Sequence, residues 1–201
     1  MVQWLFNRGV QSKIHYLHSG ASYTHKFYDR LFASVRAQLG SNVRLMITGS
    51  APISGDVLDF LKVTFGCEIR EGYGQTETSA AATISLGTDG TAGHVGGPLG
   101  CIKMRLKDIP EMNYYSTDSP NPRGEVCYQG PSVFPGYYKA DDKNAEAFED
   151  GWLRSGDVAM VYPNGALKIV DRAKNIFKLS QGEYIAPEKL ENVYITSPFL
   201  A

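Results

Sequence analysis

A strand–helix–strand pattern between residues 43 and 73 constrains the fold most strongly. Val43 to Ile47 is a short apolar run, and Glu68 to Tyr73 is a second segment of strand length. Ser54 and Gly66 are typical start and stop residues for a helix between them, and its apolar positions recur every three or four residues: Val57, Leu58, Leu61 and Phe65. Two strands joined by a helix run parallel, and such sheets bind ligands beyond the carboxyl ends of their strands. The pattern therefore predicts an α/β fold with functional loops at 48–54 and 72–78.

The sequence pattern changes after about residue 87, where glycines become frequent and short strand-like runs follow one another. We expect a β-rich subdomain with strands at 101–106, 124–129, 158–162 and 166–170. Asn164-Gly165 favours a type I′ hairpin between the last two runs, because both residues tolerate positive φ. Pro187 is typical of the first residue of a further short helix.

Residues 22 to 39 carry apolar residues at steps of about four, which predicts an amphipathic helix ending at Gly40. His15 and His18 precede it with a spacing that can suit a metal, but no carboxylate or cysteine lies near them in the sequence. We expect both histidines in an exposed loop. His94 lacks a neighbouring nucleophile or acid, and we interpret it as a turn residue rather than a catalytic base.

Composition excludes several classes of protein. The 201 residues include 20 basic and 21 acidic ones, a net charge of −1, so no overall field would attract nucleic acid or an anionic membrane. No apolar run approaches the roughly 18 residues of a membrane span, and residues 1–8 lack a secretory signal pattern. Three cysteines without a CxxC pair are typical of a reducing compartment, and we expect each to be a small buried residue.

General motif searches remove further classes. The sequence contains no GxxxxGK[ST], GxGxxG, HExxH or GxSxG, so it lacks the usual signals of phosphate-loop NTPases, Rossmann dehydrogenases, zincins and the simplest serine hydrolases.

Two segments carry chemistry of their own. Glu71-Gly72-Tyr73-Gly74-Gln75-Thr76-Glu77 places an aromatic ring, a hydroxyl and a carboxylate in one loop, which suits a base, a phosphate and Mg²⁺ respectively. A capped turn explains the same residues about as well. The second segment is Trp152-Leu153-Arg154-Ser155-Gly156-Asp157. The Asp157 carboxylate at its end has two acceptor oxygens, which can hold both hydroxyls of a ribose. A plain turn is the alternative there too.

The order of these segments is more specific than any one of them. Seven motifs follow one another between residues 44 and 191, and together they resemble the adenylate-forming acyl-CoA synthetases, most closely the long-chain fatty acid–CoA ligases: TGSAPIS from Thr48, EGYGQTE from Glu71, RGEVC from Arg123, GYY from Gly136, DGWLRSGD ending at Asp157, DRAKN from Asp171 and GEYIAPEKLE from Gly182.

The resemblance implies ATP-dependent activation of a fatty acid to acyl-AMP, followed by transfer to CoA, with Mg²⁺ as the metal. It implies that Tyr73 stacks on adenine between Gly72 and Gly74, that Thr76 contacts phosphate and that Glu77 holds Mg²⁺. The adenine and acyl pocket would be lined by small residues, namely Gly49, Ser50, Ala51 and Pro52. Asp157 would bind the ribose hydroxyls, and Arg172 would bind ribose or phosphate.

The resemblance also implies a domain organisation. Residues 1–171 would form the C-terminal part of the large AMP-binding domain, and residues 172–201 would begin the small α+β C-terminal domain. The segment Asp171 to Lys174 would be the hinge between the two domains, and Lys174 together with Thr76 and Glu77 completes the implied catalytic set. Ser180, Gly182 and Glu183 would border the CoA tunnel.

Two elements of the family pattern are not found here: the Ser/Thr/Gly-rich phosphate loop and the lysine of the far C-terminal domain. The resemblance therefore implies a fragment that is inactive alone, since these groups stabilise the transition state. The alternatives are a non-catalytic nucleotide- or partner-binding remnant and a superfamily ligase for a different acid. We expect small-molecule substrates (fatty acid, ATP and CoA), no nucleic acid, and an intracellular location, in the cytoplasm or peripherally on the cytosolic face of an endoplasmic reticulum-type membrane.

Overall fold

The computed structural model describes residues 2–20, 22–87, 89–179, 181, 184–195 and 197. The chain divides into two compact units. The first comprises residues 1–72 and 85–94, and the second comprises residues 73–84 and 95–201.

The first unit contains the strand–helix–strand pattern. Strand β1 (Leu45–Thr48) and strand β2 (Glu68–Tyr73) pair in parallel, with Thr48 opposite Glu71. The sequence prediction of a parallel pair is therefore confirmed, and the carboxyl ends of both strands lie side by side.

Three helices belong to the same unit. They are α1 (Val2–His18), α2 (Ala33–Ala37), which follows a 3-10 helix over Tyr28–Phe32, and α3 (Gly55–Phe65), which connects the two strands. Ser54 caps α3 by accepting a hydrogen bond from Val57 N, and Gly66 ends it in the left-handed conformation with φ 61°. Leu58, Cys67 and Ile69 form one buried cluster, whereas Val10, Leu17, Phe32 and Val63 form another.

The predicted continuous helix over residues 22–39 is wrong. Only the 3-10 turn and the five residues of α2 are helical, because Ser22 Oγ accepts from Thr24 N and His25 Nδ1 accepts from Phe27 N. These side chains satisfy backbone donors locally, which competes with helix formation. Phe27 and Leu39 are accordingly exposed rather than part of an apolar stripe.

Helix α1 corresponds to no predicted element, and it changes the interpretation of its histidines. His15 and His18 lie in its last turn rather than in a loop. His18 Nε2 lies 2.6 Å from Asp59 Oδ2 of α3. His94 is buried, and its Nε2 lies 2.9 Å from Thr91 Oγ1.

The second unit is β-rich, as predicted. Strands β3 (Thr83–Ile84) and β4 (Gly97–Pro98) pair antiparallel. A larger antiparallel sheet contains β5 (Lys103–Lys107), β6 (Arg123–Gln129), β7 (Phe148–Glu149), β8 (Trp152–Val161) and β9 (Leu167–Arg172). The unit also contains two short 3-10 helices, at Thr76–Thr78 and Pro110–Met112. Its remaining elements are helix α4 (Asp141–Ala147), the antiparallel pair of β10 (Phe177–Lys178) and β11 (Tyr184–Ile185), and helix α5 (Pro187–Ile195).

The core of this unit is built on strands of the large sheet. Its fully buried members include Val126, Tyr128, Ala159 and Leu167, with Tyr73 packed against them.

Two finer predictions in this unit are corrected. Cys101 is exposed, whereas Cys67 and Cys127 are buried as expected. The hairpin between β8 and β9 exists, but its turn is not type I′, because Gly165 has φ 83° and Asn164 has no positive φ. Asn164 Oδ1 instead accepts from Ala166 N, so its side chain closes the turn.

Candidate functional site

A buried carboxylate, Asp157, stands at the centre of a polar cluster in the second unit. It is 5% exposed. Its Oδ2 accepts hydrogen bonds from the Tyr73 hydroxyl and from Gln75 Nε2, the latter at 3.0 Å. Arg172 Nε lies 3.6 Å from Oδ1. The structure thus brings together three residues that the sequence analysis assigned to one nucleotide site: Tyr73, Asp157 and Arg172.

An irregularity in β8 directs this carboxylate. The pairing of β6 with β8 shifts register, so that Val126 alone lies opposite residues 155 to 157. Gly156 within this bulge has φ 73°, a conformation that favours glycine. Ser155 Oγ accepts from Asp157 N at 3.0 Å and fixes the next peptide. Bulges of this kind re-aim a side chain and are common beside active sites.

Burial sets the acid–base character of the cluster. Desolvation raises the pKa of Asp157 above its ordinary value, while the Tyr73 hydroxyl and the Arg172 charge act in the opposite direction. Burial also raises the pKa of Tyr73, and the nearby Asp157 charge adds to that rise. Tyr73 therefore stays a neutral donor, and the Asp157 carboxylate, in its ionised form, accepts from hydroxyl donors.

The segment after Tyr73 is a tight turn that leads into the 3-10 helix. A Cβ on Gly74 would lie 2.1 Å from the carbonyl oxygen of Ala80, so no larger residue fits there. Thr78 Oγ1 accepts from Gln75 N at 2.9 Å and closes the turn. Thr76 and Glu77 follow on its outer side, where Thr76 is exposed.

Glu77 is half-buried and already has one partner. Its Oε1 accepts a hydrogen bond of 2.6 Å from the Tyr137 hydroxyl, and this bond is the main reason that the pKa of Tyr137 is raised. Within the described ranges, no group of three or more His, Cys, Asp or Glu side chains could enclose a metal ion. A single hard carboxylate nevertheless fits Mg²⁺, which is commonly held by one or two carboxylates together with phosphate oxygens.

The predicted hinge lies at the end of β9. Asp171 is 1% exposed, and its Oδ1 accepts from Arg172 N at 2.6 Å and from Asn175 Nδ2 at 3.3 Å. Arg172 and Lys174 are exposed, and Lys174 lies in a turn over residues 173–175. The hinge assignment stays a prediction.

The remaining predicted site residues lie in the first unit. Gly49, Ser50, Ala51 and Pro52 are exposed and follow β1 directly. Gly49 approaches β2 so closely that a Cβ would lie 2.9 Å from the Gly72 carbonyl oxygen. Ser50 adopts the left-handed conformation with φ 70°, which is uncommon for a residue with a side chain. Within this unit the structure therefore brings Gly49 and Gly72 together.

The site contains residues that sequence reasoning did not assign. Gln75 donates to both Asp157 Oδ2 and the Ser155 carbonyl, and Tyr137 donates to Glu77. Both lie inside motifs that the sequence analysis singled out, but their spacing gives no sign of which carboxylate each contacts. The residues expected near the CoA tunnel, Ser180, Gly182 and Glu183, lie outside the described residues.

Comparison with known proteins identifies the family. A family model described as AMP-binding enzyme matches residues 7–138, about two thirds of the chain. The chain belongs to the AMP-binding enzymes.

Relatives of this AMP-binding chain include two curated long-chain synthetases. It is 51% identical to long chain acyl-CoA synthetase 7, peroxisomal, of Arabidopsis thaliana over 87% of its own length and 25% of the relative's. It is 50% identical to long-chain-fatty-acid–CoA ligase 1 of Homo sapiens over 97% of its own length and 28% of the relative's. The chain thus spans about a quarter of the length of these relatives.

Solved structures confirm the predicted fold class. The A domain of a carboxylic acid reductase from Segniliparus rugosus, in complex with AMP and a co-purified carboxylic acid, has a TM-score of 0.71 and 32% identity, covering 98% of this chain and 30% of that one. O-succinylbenzoate coenzyme A synthetase from Bacillus subtilis, in complex with AMP, has a TM-score of 0.71 at 24% identity, covering 86% and 36% respectively. The chain is therefore an α/β part of an adenylate-forming domain. No helix in the described part of the chain has both the length and the apolar character to cross a membrane.

Proposed function

We propose that this chain forms part of a long-chain fatty acid–CoA ligase and provides contacts to its nucleotide. The single observation that supports the proposal most is the cluster around Asp157. It offers hydroxyl donors a buried carboxylate whose direction is set by the bulge in β8. The identity of about 50% to long-chain synthetases indicates a fatty acid as the substrate that is activated. In this proposal ATP and the acid give acyl-AMP and pyrophosphate, and CoA then displaces AMP.

Each residue has a stated role in the proposal. Asp157 accepts from the ribose hydroxyls, and Arg172, with its fixed fork of donors, binds ribose or phosphate. The Tyr73 ring stacks on adenine, flanked by Gly72 and Gly74. Thr76 donates to phosphate, and Glu77 would hold Mg²⁺, whose charge would offset that of the phosphate. The adenine and acyl pocket is lined by the loop after β1: Gly49, Ser50, Ala51 and Pro52.

The proposal extends to the domain organisation and the surroundings. Residues 1–171 belong to the large AMP-binding domain, residues 172–201 begin the small one, and Lys174 lies at the hinge between them. A fatty acid substrate partitions into lipid, which favours peripheral contact of the whole protein with an intracellular membrane.

Titration calorimetry with AMP tests the nucleotide site. We expect Asp157→Ala to weaken binding by at least about 100-fold, because it removes two hydrogen bonds to a charged carboxylate, each of which contributes about 1.5–3 kcal/mol. Asp141→Ala, at an exposed position of α4, is the matched control and leaves the affinity unchanged. Equal AMP affinity of Asp157→Ala and the unaltered chain would refute the proposed site.

A further inference from the structure

A second buried carboxylate, Glu125 of β6, holds the bulge from which Asp157 projects. Glu125 is 5% exposed. Its Oε1 accepts a hydrogen bond of 3.0 Å from Gly156 N. Its Oε2 accepts from Arg154 Nε at 3.1 Å and from Arg154 Nη2 at 2.9 Å. One side chain therefore contacts β8 on both sides of Ser155.

The bond to Gly156 N replaces a missing strand–strand contact. Regular pairing between β6 and β8 is interrupted between Glu125 and Cys127, so the bulged residues of β8 lack the usual backbone partners across the sheet. Gly156 itself is exposed, whereas the Glu125 carboxylate is buried, so Glu125 needs donors, and the Gly156 N–H is one of them. The left-handed conformation of Gly156 is thus supported by a side chain of the neighbouring strand.

Gly156 also lies between the polar cluster around Asp157 and the predicted hinge. Asp157, the next residue, directs its carboxylate to Tyr73 and Gln75. The Gly156 carbonyl accepts from Ala173 N at 2.9 Å, within the predicted hinge segment. A change in the backbone conformation of Gly156 would therefore turn the Asp157 side chain away from its donors.

We propose that Glu125 is a positioning residue for ribose recognition. By accepting from Gly156 N it fixes the bulge so that the Asp157 carboxylate faces the two ribose hydroxyls of the nucleotide. This inference rests on the nucleotide-binding function proposed above. Glu125 itself does not contact the nucleotide, and its ion pair with Arg154 is secondary, since Arg154 is more than one third exposed and keeps its hydration without a partner.

The informative measurement is how strongly the chain prefers a nucleotide with ribose hydroxyls over one without them, not its affinity for AMP alone. We define the ribose ratio as the Kd for 2′,3′-dideoxy-AMP divided by the Kd for AMP, both measured by calorimetry on the whole chain. A purely structural loss of stability weakens both ligands equally and leaves this ratio unchanged. A misdirected Asp157 lowers the ratio, because only the ligand with hydroxyls loses contacts.

Substitutions of Glu125 separate the roles of its two carboxylate oxygens. Glu125→Leu removes the acceptor for Gly156 N, and we expect the ribose ratio to fall at least about tenfold, towards the value of Asp157→Ala. Glu125→Gln keeps a carbonyl oxygen for Gly156 N and loses the ion pair, so it retains the ratio within about threefold. Glu146→Leu, at an exposed position of α4, is the matched control and keeps the ratio of the unaltered chain.

Substitutions of Gly156 test the same idea if Glu125→Leu does not fold. A Cβ at Gly156 meets no atom within 4 Å, so only the backbone conformation limits the residue there. Asn tolerates positive φ, whereas Val does not. We expect Gly156→Asn to retain the ribose ratio and Gly156→Val to lose it.

The outcomes distinguish the two proposals. A ratio that falls in Asp157→Ala but stays unchanged in Glu125→Leu and in Gly156→Val overturns the positioning role and leaves the nucleotide site intact. A ratio that is insensitive to Asp157→Ala, or a chain that does not bind AMP, overturns the proposed nucleotide site and the positioning role with it. A ratio that falls in Asp157→Ala, Glu125→Leu and Gly156→Val, and is retained in Glu125→Gln, supports both.

Discussion

Asp157 and Glu71 are both buried carboxylates, but their surroundings differ. Asp157 Oδ2 has a hydroxyl and an amide as donors. Glu71, in the first unit, has a buried Oε2 with no hydrogen-bond partner among the described residues. Burial raises the pKa of Glu71 to about 7, although the charge of Lys62 acts in the opposite direction. Asp157 Oδ2 is thus held by donors, whereas Glu71 Oε2 is not, and the raised pKa of Glu71 makes the stability of the chain depend on pH.

The raised pKa of Glu71 predicts a loss of stability with rising pH. The pKa is about 7 in the folded chain against an ordinary value of 4.5 for an unperturbed glutamate, so folding takes up a proton between these values. The stabilisation is fully present below about pH 4.5 and is lost as the pH rises through about 7. Glu71→Gln removes this dependence and raises the free energy of unfolding above pH 7 by up to about 3 kcal/mol. Urea unfolding followed by circular dichroism at pH 5, 6, 7 and 8 measures it.

The comparison needs a control, because other groups titrate in the same range. Glu111→Gln changes an exposed carboxylate and should give a pH profile parallel to that of the unaltered chain. A Glu71→Gln profile that is also parallel would contradict the prediction.

The hydrogen bond between Tyr137 and Glu77 leads to a prediction about the binding of MgATP. Its hydroxyl occupies Glu77 Oε1, so Tyr137→Phe frees that oxygen for Mg²⁺. We expect the affinity for MgATP to rise by about two- to tenfold, while the affinity for ATP without Mg²⁺ stays unchanged. Calorimetry measures both. Tyr138→Phe changes the neighbouring exposed ring and should alter neither affinity, whereas weaker MgATP binding in Tyr137→Phe would show that the bond aids the metal site.

At the scale of elements, α3 was predicted almost residue by residue because its boundaries are local. The Ser54 hydroxyl satisfies an otherwise unpaired N–H, and Gly66 adopts the left-handed conformation with its N–H bonded to the Lys62 carbonyl. Neither feature needs distant contacts, so the sequence pattern is sufficient.

The Ser54 cap on α3 is expected to contribute measurably to the free energy of unfolding. Ser54→Ala removes the acceptor for Val57 N and should lower the free energy of unfolding by about 1 kcal/mol. Ser54→Asp keeps an acceptor at the same place and should retain most of the stability. Urea unfolding of the three proteins in parallel tests this, and equal stability of Ser54→Ala and the unaltered chain would show that the cap contributes nothing.

Elements that depend on tertiary packing were predicted less well. Residues 22–39 have helical spacing, yet only Phe32 among their apolar residues is fully buried, against α1 and α3. Local hydrogen bonds that Ser22 Oγ accepts from Thr24 N and His25 Nδ1 accepts from Phe27 N then determine the backbone before Tyr28. A helix without enough buried apolar surface gains little over such turns.

At the scale of the whole molecule, the chain spans about a quarter of its long-chain relatives, and we expect it not to complete the reaction alone. Exchange of radiolabelled pyrophosphate into ATP with palmitate measures adenylation. We predict no exchange above a heat-killed control, because the Ser/Thr/Gly-rich phosphate loop, which the family resemblance implies as a source of transition-state donors, is not found among these 201 residues. Exchange well above that control would contradict the prediction, and AMP binding in the same preparation shows that the chain is folded.

The sequence by itself determined the α/β class, the parallel pair and the caps of α3, since these follow from periodicity and local hydrogen bonds, and its motif order predicts the residues of the proposed nucleotide site. Only the tertiary structure decided that Gln75 shares Asp157 with Tyr73, that Tyr137 contacts Glu77 and that Glu125 supports the bulge at Gly156. Glu125 and Gly156 are separated by 31 residues, and they meet because β6 and β8 pair with an interrupted register. A register shift depends on the packing of a whole sheet, and no local pattern along either strand specifies it.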